Sequence, residues 1–210
     1  MGHALAPGPA NELGYTIVLD EGTSARTESP PPGTIGLDAK GGTPTQDSSS
    51  IADQIAGYAR RRRGGRVGDG ECFTLADRAL RSAGARSAAD YGTVTPDADY
   101  VWGTHVSLSD VRPGDIVQFR GYRFDRETET RNADGSVTTT TEYQERPHHT
   151  AIIERVDPDG ALTVLEQNSP AGAPVSRMQL FFSDSTTRRA NRTTTVTVRG
   201  TVWFYRPQPQ

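Results

Sequence analysis

The sequence has one cysteine, two methionines and two tryptophans in 210 residues. A single thiol excludes an internal disulfide. With only His3, His105, His148 and His149 beside it, a cysteine–histidine zinc site is excluded too, and no metal or cofactor is expected. No apolar run approaches the ~18–20 residues of a membrane span. The opening stretch MGHALAPGPANELG lacks a basic n-region and a long apolar h-region. No secretory signal is therefore expected, which leaves the cytoplasm or a non-classical route of export. Hydrophobic residues are scarce, at 33%, so the core is expected to be smaller than the chain. A net charge of −3 gives no footprint of nucleic-acid binding, and no nucleic-acid partner is expected.

What is present divides the chain in two. Residues 1–48 are rich in Pro, Gly, Ser and Thr without a periodic apolar face and read as a disordered tail, with YTIVLD (Tyr15–Asp20) as a possible short strand. Residues 49–207 read as one folded domain. Ser49 or Ser50 can cap a helix through IADQIAGYARRRR, with Ile51, Ile55 and Tyr58 on one face and Gly64-Gly65 at its end. The run Arg60–Arg63 fits a cationic helix C-terminus better than a nucleic-acid patch, since no aromatic or second basic cluster accompanies it. A second helix is expected over Cys72–Ala83, closed by Gly84. Strands follow: VRPGDIVQF, a long polar hairpin over Arg120–Pro147 with its tip at NADGS, then HTAIIERV and ALTVLEQN joined by DPDG, then TTTVTVRG and TVWFYRP. Helices followed by mostly antiparallel strands predict an α+β domain.

Cys72 falls at a helix start, behind the flexible turn Gly68-Asp69-Gly70. Free N–H groups and the positive end of the dipole favour a thiolate there. A thiol nucleophile also needs a base and a polar group to orient it. His149 opens one strand, and Glu166 and Asn168 stand two apart on the next. If DPDG leaves four residues unpaired, His149 falls opposite Asn168 and diagonal to Glu166. A type I turn with a glycine bulge would shift the register by one and put His149 on the other face, unless a second bulge restored it.

In order and spacing, GDGECFTLADRAL, RPGDIVQF, HHTAIIERV and VLEQN resemble CHAP and NlpC-type domains of the papain-like superfamily, over about residues 51–207. A papain-like domain of eukaryotic actin-patch adaptor proteins carries a similar pattern. The resemblance implies N-terminal helices packed on an antiparallel sheet, Cys72 as nucleophile and His149 as base. Glu166 would orient the imidazole, and Asn168 would help hold the ring or the substrate. By the same resemblance DYVWG places Trp102 in the substrate groove, with His148 beside it. The implied reaction is hydrolysis of an amide, in peptidoglycan or another peptide. The alternatives are an inactive binding or adaptor module, and an intracellular peptidase or deamidase acting on a protein. No partner protein is identified. The Arg120–Pro147 hairpin reads as an insertion that could overhang the cleft.

Overall fold

The computed structural model describes residues 50–210; the tail reading of residues 1–48 and the possible Tyr15–Asp20 strand lie outside it. Two helices come first, α1 (Ile51–Arg60) and α2 (Cys72–Ser82), followed by strands β1 (Thr104–Val106), β2 (Ile116–Arg131), β3 (Val137–Val156), β4 (Leu162–Glu166), β5 (Ser176–Leu180), β6 (Ser185–Arg189) and β7 (Arg192–Arg206). The strands form one antiparallel sheet in the order β1-β7-β2-β3-β4-β5, with β6 added to β7.

Helix α1 starts where the Ser50 hydroxyl accepts the Asp53 N–H, supplying one of the donors a helix start leaves free. Its buried residues, Ile55 and Tyr58 among them, face α2 and the sheet. Alternation then sorts the strand residues between two cores. Ile116, Ile152 and Leu165 pack beneath the helices with Leu75, Leu80 and Trp102. Val117, Phe119, Ile153 and Val164 pack on the opposite face, under Leu180, Phe181 and Phe182 from the end of β5. Each fully buried Leu, Ile or Phe is worth about 1.5–3 kcal/mol, so both faces contribute to holding the sheet.

Pro113-Gly114-Asp115 joins α1 to the sheet. Gly114 has φ +89°, and a Cβ there would fall 2.5 Å from the Ala52 carbonyl oxygen. Only glycine lets the turn pass so close to the helix. The turn also pairs with β3, through Gly114 N–H to Ile153 O and Ile153 N–H to Asp115 O.

The strand-rich end differs from expectation in one way. TTTVTVRG and TVWFYRP are one strand, β7, bent at Gly200. Arg120–Pro147 is the long hairpin expected. It forms the outer halves of β2 and β3, and β7 and β6 extend that part to four strands. At its base Gly121 (φ +60°) and Gly200 (φ +92°) cross so closely that a Cβ on Gly200 would meet the Gly121 oxygen at 2.2 Å. The bend resets alternation: Phe119, Tyr122 and Phe124 all face the same core.

The DPDG turn is the shifted kind. Val156 pairs with Leu162, and Gly160 sits at φ +84°. A bulge between Ile153 and Arg155 then returns the register, so that Ile152 pairs with Leu165. Glu154, the residue left over, turns toward α1 and binds Arg60 at 2.9 Å and also Arg177. The two irregularities cancel before the strand reaches His149.

Candidate active site

Cys72 is the first residue of α2 and is half-buried, at the edge of a groove of about 420 Å³. Its sulfur lies beside the His149 imidazole, near enough to the backbone N–H groups of Phe73 and Thr150 for all three to favour the thiolate. β4 ends at Glu166, before it can pair with Thr150, so that stretch of β3 is left open toward α2. Burial pushes the thiol up. The His149 contact, its positive charge and the two amides outweigh this, and the thiol lies below its ordinary value.

His149 stands on β3 and is nearly enclosed, at 5% exposed, with Phe119 against the ring. Its Nε2 lies 3.1 Å from Glu166 Oε2. The N–H is not aligned on that oxygen, so charge rather than a directed hydrogen bond joins them. Burial disfavours the imidazolium, but the contacts with Cys72 and Glu166 prevail and raise the ring to about 9. Glu166 is fully buried. Burial pushes its carboxyl up, while His149 and Arg146 pull it down to about 2.

Arg146 and Gln167 were not expected. Arg146 grips Glu166 with Nε to Oε2 at 2.8 Å and Nη2 to Oε1 at 2.5 Å. Strict alternation puts residues 146 and 149 on opposite faces, and the bend at Gly121 is what brings both to Glu166. Gln167 is also fully buried. Its Oε1 accepts the Val67 N–H at 2.7 Å, and its Nε2 donates to the Val67 and Glu71 carbonyls at 3.1 and 3.0 Å. The loop that presents Cys72 is thereby tied to the strand that presents Glu166. Within the polar run Glu166-Gln167-Asn168-Ser169 nothing in the sequence set Gln167 apart.

Asn168 does not reach the imidazole. At φ +67° it leaves the strand direction, donates to Glu71 at 2.9 Å and accepts the Gly172 N–H at 2.6 Å. It stands on the rim of the groove beside Asp69 and Glu71. His148 also lines the groove, with Nε2 2.9 Å from the Ala98 carbonyl. The placement of Trp102 in the groove is corrected. Its side chain is fully buried, its Nε1 donates to Gln118, and Phe73 and Tyr100 pack over it. The groove wall is Tyr100 with Val94 and Pro96. Nothing from Arg120–Pro147 lines it, so the overhang expected of that hairpin is also corrected; its base contributes Arg146 instead.

The sequence matches the family described as the AIM3/BBC1 cysteine proteinase-fold domain over residues 27–210, reaching back into the stretch read as tail. No curated protein and no solved structure matches it. The family carries the papain-like cysteine proteinase fold that the resemblance implied, and the helices and antiparallel sheet agree with the expected α+β class; the narrower CHAP or NlpC assignment is not part of the match. The chain belongs to the AIM3/BBC1 cysteine proteinase-fold domain family.

Proposed function

We propose that this domain is a thiol hydrolase that cleaves an amide bond in a peptide or protein, with Cys72 as nucleophile, His149 as acid and base, and Glu166 as the group that orients and charges the imidazole. The observation that carries this is the contact of Cys72 with His149, backed by Glu166, at the edge of an open groove. The lowered thiol and the raised imidazole favour a thiolate–imidazolium pair at neutral pH.

The Cys72 sulfur attacks the carbonyl carbon, and an S–C bond forms as the carbonyl π electrons move to oxygen. Backbone N–H groups at the start of α2 meet that oxyanion. His149 gives its proton to the amine as the C–N bond breaks, leaving a thioester. Water, deprotonated by His149, attacks the thioester, and the acid leaves as the thiolate reforms. Gln167 holds the Cys72 loop in place for each step. Asp69 and Glu71 in the lining, together with Val94, Pro96 and Tyr100, suit a segment that carries both basic and apolar side chains. Peptidoglycan, implied by the CHAP resemblance, has no support from the family match.

Iodoacetamide labelling at neutral pH tests this against an inert binding module. A nucleophile labels many times faster than free cysteine, and His149→Ala slows it. Labelling at the rate of free cysteine, unchanged by His149→Ala, rejects it. Release of new amino termini from a denatured protein mixture, absent with Cys72→Ala, then identifies the hydrolysis.

A further inference from the structure

Arg61, Arg62, Arg63, Arg66 and Arg78 surround a second cavity of about 280 Å³ whose wall contains no carboxylate. The Arg60–Arg63 run was read as a helix end because no aromatic or second basic cluster was seen to accompany it. Both are there: Tyr58, two residues ahead in the same helix, has its ring 3.4 Å from Arg62 Cζ, the loop after α1 brings Arg66, and α2 brings Arg78. Of the run, only Arg60 is committed to a carboxylate, Glu154. Among the described residues none of the five lining arginines is within ion-pair distance of an acid; Asp69 feels Arg78 only through space. The chain's one lysine is Lys40, so these cations are all planar, five-donor guanidinium groups, the geometry that grips phosphate with paired hydrogen bonds.

Several of the side chains are seated rather than loose. Arg62 stacks on Tyr58 and donates to its carbonyl at 3.1 Å. Arg66 lies on the bare backbone of Gly70, where a Cβ would fall 2.1 Å from its Nε, and Arg78 lies against Gly68, where a Cβ would fall 3.1 Å from its Cζ. A protein of net charge −3 thus gathers five unneutralised cations around one small hollow. Their mutual repulsion is relieved by an anion of high charge. The hollow is near the lower limit of small-ligand sites and fits a compact group far better than a polymer.

We propose that this cavity binds a compact group bearing two or three phosphates, free in solution or as a lipid headgroup. The site is separate from the groove at Cys72. The test titrates the full chain, with native Cys72 and as Cys72→Ala, with inositol trisphosphate by calorimetry, at near-physiological salt. Co-sedimentation with phosphatidylcholine vesicles, with and without phosphatidylinositol bisphosphate, separates the two sources. Both forms of Cys72 are expected to bind equally, whatever the hydrolysis assay gives. Arg66→Gln with Arg78→Gln is expected to weaken binding by about tenfold or more, while Arg188→Gln with Arg189→Gln on β6, an equal loss of charge, leaves it unchanged. Binding of the trisphosphate with vesicle capture assigns the lipid source, and binding without capture the soluble one. Equal weakening by the two double variants, no binding of either probe, or tighter binding of a random oligonucleotide than of the trisphosphate overturns the proposal.

Discussion

Arg146 holds both carboxylate oxygens of Glu166, so the group that faces His149 is fixed in place and kept ionised. All three side chains are buried. Removing one partner of a buried ion pair costs about 3–5 kcal/mol, because the other charge is left stranded. Arg146→Met is therefore expected to lower stability by that amount in urea denaturation, and Arg146→Met with Glu166→Leu to recover much of it. A loss below about 1 kcal/mol for the single change means that Arg146 does not hold the carboxylate.

Activity is expected to be bell-shaped in pH. As pH falls through the lowered value of Cys72, the sulfur takes a proton and both alkylation and hydrolysis slow. As pH rises through about 9, His149 loses the proton it gives to the leaving amine, so hydrolysis falls while alkylation does not. Glu166→Gln shifts the alkaline limb to lower pH. Rate–pH profiles of kcat/KM and of iodoacetamide labelling check both limbs; an alkylation midpoint at the free-thiol value, near 8.5, argues against the ion pair.

Stability follows the same groups with signs fixed by their shifts. The raised His149 contributes fully below its unfolded value, near 6.5, and that contribution is lost as pH climbs through about 9. The lowered Glu166 contributes above the ordinary carboxyl range and loses its contribution as pH falls toward 2. Melting curves across pH should show His149→Ala flattening the alkaline side.

Gln167→Ala leaves the buried Val67 N–H without its partner, while the Val67 and Glu71 carbonyls keep the Gly70 and Leu75 N–H groups. One unsatisfied buried group costs about 1–3 kcal/mol. The loop before Cys72 is freed as well, so kcat is expected to fall by roughly tenfold or more through misplacement of the sulfur. Gln167→Glu should not rescue it, because the carboxylate cannot donate to the two carbonyls. Unchanged kcat with lowered stability would mean that Gln167 serves folding alone.

Gly114→Ala forces a Cβ into the Ala52 backbone at a positive φ. A loss of about 1–3 kcal/mol is expected from overcrowding, with further loss from backbone strain, read as a lower denaturation midpoint. Gly84→Ala, also at positive φ but with open space around it, is the control for strain alone.

Much of this was legible because it is local. Ser50 as a cap, the cysteine at a helix start and alternation in β3 and β4 are each decided by a few neighbouring residues. What escaped depends on partners far along the chain. Gln167 acts on Val67, a hundred residues away. Arg146 faces Glu166 only because Gly121 meets Gly200 and resets the alternation. Trp102 looked like a groove aromatic because its neighbour is a glycine, whereas its indole N–H is used by Gln118 within the core. That the polar hairpin is covered by β7 was not legible, because the sequence does not show that β7 is one long strand.

The paired irregularities of the β3–β4 hairpin also limit how the gene can change. Deleting the codon for Glu154 alone, or shortening the Pro158–Gly160 turn by one residue alone, rotates the ring-bearing end of β3 away from α2 and leaves both reactive side chains present in the sequence but apart in space. Only the double deletion restores their meeting. Among relatives, turn length and the extra residue at position 154 should therefore vary together, and a chain that has lost one without the other carries an intact motif and a dead centre.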